Sequence, residues 1–122
     1  MANPNLLGIT NVIGVTTHVG VSTNFSSVLV NAVDSGHLYK IVSIIASNTS
    51  NSNTSLVVNL NDSAAGTGSS HSICTNVVVP TASTLVVLDK STSYFMNENS
   101  SILTQSNFEG HITLSVVYED IS

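Results

Sequence analysis

The sequence predicts an all-β protein: a two-sheet antiparallel β-sandwich of the jelly-roll kind, with an extended N-terminal arm. Short runs rich in Val, Ile and Leu recur along the chain, separated by turns rich in Ser, Asn, Thr and Gly. No window shows a sustained apolar period of 3.6 residues, which a core-facing helix would need. The chain has 122 residues, enough for one domain with a modest core.

The arm is predicted at residues 1–23, and the β-sandwich domain at residues 24–122. Within the arm, Ile13–Thr17 is echoed by Val19–Thr23, and each segment has glycine at its second position. Glycine weakens an isolated strand but allows another backbone to approach closely. We therefore expect the arm to lie along a neighbouring subunit. A first hairpin, or a terminus folded back on its own domain, is the alternative.

The first strand of the domain is predicted at Phe25–Val33. Two further strands and a polar loop follow between Leu38 and Asp62. The loop, residues 47–55, consists only of Ser, Asn and Thr, which favour turns. An antiparallel hairpin is the simplest way to join the two strands.

The first strand of this hairpin is apolar on both faces. Alternation along a strand places Ile41 and Ile45 on one face and Val42 and Ile44 on the other. A strand that is apolar on both faces has a sheet on one side and something else on the other. We expect Val42 and Ile44 to contact a partner.

The rest of the chain continues the all-β pattern. Pro80 ends one strand because it cannot donate to a ladder. The segment Thr84–Leu88 is apolar on both faces and is expected to be a central strand. The remaining predicted strands are His71–Val79, Tyr94–Met96, Ser101–Gln105 and Gly110–Glu119.

Composition excludes several classes of function. Only 7% of residues are charged, with two lysines and no arginine, so the chain cannot form the cationic patch that nucleic-acid binding requires. No stretch approaches the roughly 20 apolar residues that span a bilayer, and the N-terminus lacks the features of a signal peptide. Ser, Thr and Asn supply 48 of the 122 residues. A neutral polar surface tolerates many closely packed copies, which favours a subunit of an assembly and a homo-oligomer.

No catalytic residue, metal site or cofactor is predicted. The four histidines and the single cysteine, Cys74, have no metal-ligand spacing. The segment Asp34–His37 holds Asp, Ser and His, but consecutive residues in a turn cannot adopt the geometry of a catalytic triad. Polar loops such as Asn97–Ser100 could offer oxygen ligands to calcium, although turn chemistry explains them as well.

Four segments resemble small virion structural proteins of tailed bacteriophages, especially those of marine cyanobacterial phages. They are HLYKIVSIIASNTS, PTASTLVVLDKST, ENSSILTQ and ITLSVVYEDIS. The resemblance leaves out residues 1–23 and most of 25–36. It consists of strands and turns rather than chemical motifs, so it implies a β-sandwich accessory subunit without choosing its place in the particle.

The resemblance implies a capsid decoration or cement protein that binds the major capsid protein or other virion subunits. Such a protein would be assembled in the host cytoplasm and found in the virion. A neck or tail ring subunit and a fibre-associated receptor-binding module are the alternatives. We expect the interface to lie in the arm and on the two-faced strand, at Gly8, Ile9, Val12, Ile13, Val15, Val19, Val21, Val42 and Ile44.

Overall fold

The structure, a computed structural model, describes Gly8 and residues 11–122. This part of the chain has nine strands and one short 3-10 helix, Lys90–Thr92. The strands are β1 (Val12–Gly20), β2 (Ser26–Asn31), β3 (Leu38–Asn48), β4 (Thr54–Asn61), β5 (Ser70–Val79), β6 (Thr84–Leu88), β7 (Tyr94–Met96), β8 (Ser100–Ser106) and β9 (Ile112–Ile121).

Two antiparallel sheets pack as a sandwich, which confirms the predicted fold class. The first, here sheet A, has the strand order β1-β9-β3-β6, with β7 also pairing with β3. The second, sheet B, has the order β2-β8-β4-β5. The apolar inner faces of both sheets form one core. Its largest fully buried side chains include Ile41, Ile44, Leu56, Met96, Ile102, Ile112 and Leu114.

The predicted hairpin between Leu38 and Asp62 does not form. Strand β3 belongs to sheet A and β4 to sheet B, so the polar loop between them crosses from one sheet to the other. At the start of this corner, the buried Asn48 side chain donates to the carbonyl of Ser52 and accepts from the backbone N–H of Ser50. The Asn48 amide therefore stabilises the turn of the loop, and both strands pair with strands that are distant in the sequence.

Buried asparagines end three successive strands: Asn31 on β2, Asn48 on β3 and Asn61 on β4. Each uses its amide to bond backbone groups of the segment that follows. Asn31 also donates to the carbonyl of Met96 at 3.1 Å, which links sheet B to sheet A. Because buried amides are costly unless bonded, these residues fix where each strand stops.

A β-bulge corrects the predicted phase of β3. The register with β9 shifts between Ile41 and Ser43, which leaves Val42 as the extra residue. As a result Ile41 and Ile44 both face the core, and Ile44 is fully buried. Ile45 is 36% exposed and faces outward. Ile44 is therefore a core residue and cannot contact a partner.

Strand β6 is also placed differently from the prediction. Within the described residues it pairs only with β3 and lies at an edge of sheet A, not at its centre. Its inner face, which includes Leu85 and Val87, packs against the core, and Val86 is 57% exposed on the other side. The two apolar faces of β6 therefore reflect an apolar outer surface of sheet A at this edge, and not a central position of the strand.

The structure also differs from the predicted arm. Val12–Gly20 pairs along its whole length with β9 of the same chain, from Val12 opposite Ile121 to Gly20 opposite Thr113. This segment is thus part of the sandwich, in line with the alternative that the N-terminal region folds back on its own domain. The sheet it completes has β1 at its edge.

Candidate interaction surface

Among the described residues, the outer edge of β1 presents a row of free backbone groups. Asn11 and Ser122 exchange two backbone hydrogen bonds, of 2.9 and 3.0 Å, and the N–H of Val21 donates to Ile112 at 2.8 Å. Hydrogen-bonded and non-bonded pairs alternate in an antiparallel ladder, so the odd-numbered residues of β1 bond to β9. The even-numbered residues therefore point their N–H and C=O groups away from β9. They are Val12, Gly14, Thr16, His18 and Gly20.

This edge lacks the features that normally block strand addition. No strand in the described part of the chain pairs with the outer side of β1. The nine residues of β1 include no charged residue and no proline, and the register with β9 has no bulge. Natural proteins usually protect an edge with one of these, because an open edge is a template for another strand. The edge of β1 is therefore competent for pairing.

Two glycines in β1 are not required by the fold of the chain. Gly14 and Gly20 both lack a positive φ, so their backbone would suit any residue. A Cβ atom built on either would meet nothing within 4 Å. Glycine in a strand costs stability and often marks a place where another backbone comes close. These glycines point to an approach from outside the chain.

Exposed apolar side chains lie on β1 and also on the far side of sheet A, on β3 and β6. Val12 is 52% and Ile13 57% exposed on β1. On the outer face of sheet A, Ile45 lies directly opposite Val86 in the ladder, and both are exposed. Solitary exposed apolar residues are normal, but neighbours on one sheet face form a surface that a partner could cover.

The structure divides the predicted contact residues. Val12, Ile13 and Gly8 are exposed. The half-buried ones are Val15, Val19 and the bulge residue Val42. Val21 and Ile44 are fully buried in the core, and Ile9 lies outside the described residues. Of the three exposed residues, Val12 and Ile13 lie on β1, whereas Gly8 precedes it.

His18 is the largest side chain on the row of free groups. Its Nδ1 lies 2.7 Å from the hydroxyl oxygen of Ser115 on β9, which holds the ring over the outer face of sheet A. Both residues lie in exposed surroundings. The ring therefore has a defined position beside the free edge. Thr16 is the neighbouring residue in the same row.

An open pocket of about 320 Å³ lies against sheet B. It brings together four separate segments of the chain, and its lining carries no charge. Gln105 donates to the carbonyl of Thr23 at 2.9 Å, and the side-chain oxygen of Asn107 accepts from the N–H of Ser55 at 2.9 Å. The lining residues are Thr23, Ser55, Val57, Asn76, Gln105, Ser106 and Asn107. No motif in the sequence marks this pocket, because its residues become neighbours only through strand pairing.

The residue types that carry chemistry are dispersed. No group of three or more His, Cys, Asp and Glu side chains that could hold a metal ion occurs among the described residues. His37 binds Asp120 at 2.6 Å, whereas the hydroxyl of Ser35 donates to Asn31 rather than to the His37 ring. Cys74 is half-buried, and burial raises the pKa of its thiol.

The comparisons with known proteins add no relative. No family model matches this sequence, and neither does any curated protein. Over the described part of the chain, no helix is long and apolar enough to cross a membrane.

Proposed function

We propose that this protein is a structural subunit of a tailed-phage particle, and within that class a capsid decoration or cement protein. The observation that carries the proposal is the open, uncharged edge of β1, with exposed apolar side chains beside it. The resemblance to phage virion proteins supports the particle as the setting. The protein would bind and stabilise the shell of major capsid subunits.

Strand addition supplies a physical mechanism for such adhesion. A partner strand laid along β1 would satisfy its free N–H and C=O groups, while the exposed Val12 and Ile13 would contribute apolar contact. About 800 Å² buried on each side suffices for a specific interface. Repetition of a modest contact over a shell multiplies its effect, and a surface with 7% charged residues permits dense packing of copies.

The test is the copy number of the protein in purified virions, measured by quantitative mass spectrometry against the major capsid protein. A decoration protein is expected in a simple ratio to the shell subunit. A few copies to a few tens per particle would contradict the decoration role and favour a neck ring or a fibre. Absence from the virion would overturn the proposal entirely.

The pocket on sheet B favours a second candidate, a fibre-associated receptor-binding module. Its amide and hydroxyl side chains could bond the hydroxyl groups of a neutral cell-surface glycan, and Val57 offers an apolar floor. Binding of labelled neutral oligosaccharides that is lost on Gln105→Ala, together with a low copy number, would support this role. Unchanged binding in Gln105→Ala would count against the pocket.

A further inference from the structure

We propose that the partner of the β1 edge is β1 of a second copy, paired antiparallel about a two-fold axis through Thr16. The sheets A of the two copies would join into one continuous sheet. This inference deepens the proposed function, since it rests on β1 serving as an interface. It names the occupant of that edge as the chain itself. The unit that binds the shell is then a dimer, and the exposed outer face of sheet A with Ile45 and Val86 is left to contact the capsid.

The free backbone groups and the length of β1 together select the register. They belong to the even-numbered residues of β1, and a pairing centred on Thr16 places even residues opposite even residues throughout. Thr16 faces Thr16 of the second copy, Gly14 faces His18, and Val12 faces Gly20. Every residue from Val12 to Gly20 is then paired, so this register has the longest overlap of any symmetric pairing of β1.

The side chains fit the same register. The two bulky members of the row, Val12 and His18, each meet a glycine of the second copy. Centring the pair on Val15 instead would oppose Val12 to His18, and centring it on Thr17 would oppose Gly14 to Gly20. Among these three registers, only the Thr16 one pairs both glycines with a larger side chain and keeps Val12 and His18 from facing each other.

The odd-numbered side chains of β1, on the other face of the strand, are also compatible with the Thr16 register. In the Thr16 register Ile13 meets Val19, and Val15 meets Thr17, which are favourable cross-strand pairs of β-branched residues. No charge occurs anywhere on β1, so no like charges are brought together. The exposed Ile13 side chain would be partly covered.

The first experiment is disulfide trapping of Thr16→Cys in a Cys74→Ser background. Opposed Cα atoms of a hydrogen-bonded pair lie about 5.5 Å apart, within the range that a disulfide spans. We expect a covalent dimer under a thiol redox buffer. Thr17→Cys in the same background is the control, because its two copies would lie diagonally, beyond the roughly 7 Å limit. Equal trapping at both positions, or trapping at residue 17 alone, would overturn the register.

The second experiment is sedimentation of the full chain and of Gly14→Pro. The N–H of Gly14 points away from β9, so proline removes no bond of the chain's own ladder but takes a donor away from the second copy and puts its ring at the junction. We expect a dimeric wild type and a dimer affinity at least about tenfold weaker in Gly14→Pro. The matched control is Thr84→Pro, an exposed position on the opposite edge of sheet A where the N–H also points away from the sheet, and it should leave dimerisation unchanged.

These outcomes are separable from the test of the proposed function. A monomeric wild type, or a dimer insensitive to Gly14→Pro, would overturn the inference even if the protein is abundant in virions. A dimer trapped at residue 16 in a protein absent from virions would leave the inference intact and refute the phage role.

Discussion

The side chain of Asn48 at the end of β3 donates to the carbonyl oxygen of Val79 at the end of β5, at 3.0 Å. The two strands belong to different sheets, so this buried bond joins the two layers where the polar loop crosses between them. Asn31 makes the matching link to Met96 from sheet B to sheet A. The sandwich is thus held by polar bonds at strand ends as well as by its apolar core.

Replacing Asn48 with alanine is expected to lower the free energy of unfolding by about 1–3 kcal/mol, because the carbonyl of Val79 loses its buried donor. Chemical denaturation measures the change. Asn51→Ala, at an exposed position of the same loop, should stay within about 0.5 kcal/mol of the wild type. Similar losses in both variants would contradict a bridging role for Asn48.

The bulge at Val42 gives neighbouring isoleucines opposite environments. Ile44→Ala should cost about 2–5 kcal/mol, because it opens a cavity in the core. Ile45→Ala, on the outer face, should cost no more than about 1 kcal/mol. Denaturant midpoints for the two variants decide the point. The reverse order of costs would mean that β3 keeps a regular alternation.

The hydroxyl of Tyr94 is buried and has no hydrogen-bond partner within the described part of the chain. Tyr94→Phe removes this polar group without changing the shape of the ring, so we expect the unfolding free energy to rise by about 1 kcal/mol. Tyr118→Phe, at a partly exposed position, is the comparison and should have little effect. A clear loss of stability in Tyr94→Phe would show that the hydroxyl is bonded after all.

Alkaline pH should destabilise the fold through its tyrosines. Burial raises the pKa of Tyr94, and burial together with the nearby Asp120 raises the pKa of Tyr39 and of Tyr118. In the unfolded chain these groups ionise near pH 10. The contribution of these protonated tyrosines to the free energy of unfolding is therefore fully present below about pH 10. It is lost as the pH rises through the pKa values that the tyrosines have in the folded protein.

Denaturant titrations on both sides of pH 10, with tyrosinate absorbance followed in parallel, measure this effect. Tyr94→Phe should reduce the alkaline loss, because Tyr94 is the most deeply buried of the three tyrosines. A stability that does not change above pH 10, in a protein whose tyrosines have ionised, would contradict the assigned burial.

The fold class and most strands followed from the sequence, because alternating β-branched residues and Ser/Asn turns report local structure. Strand partners did not follow. The corner after Asn48 resembles a hairpin loop in sequence, but β3 pairs with β9 and β4 with β8, so the loop crosses between the sheets. The phase of Ile44 was missed since a bulge leaves no mark in the residue pattern.

The candidate site was predicted in part. Two glycines near the N-terminus drew attention to the segment that forms β1, but the sequence could not reveal that Val12–Gly20 pairs with β9. The alternation of free backbone groups depends on that pairing and so is visible only in the structure. The pocket on sheet B lay beyond sequence reasoning, because Asn76 and Asn107 come from distant segments.

Because β1 pairs with β9, β1 cannot complete its sheet during biosynthesis until β9 has been made. At about 5–20 residues per second, the ribosome needs roughly 5–20 s to make the residues that separate the two strands. Throughout that interval β1 has both edges unsatisfied and no charge to deter association with other nascent chains. The yield of soluble protein in a cell should therefore depend on how fast translation delivers β9, and slowing elongation ahead of Ile112 should favour aggregation.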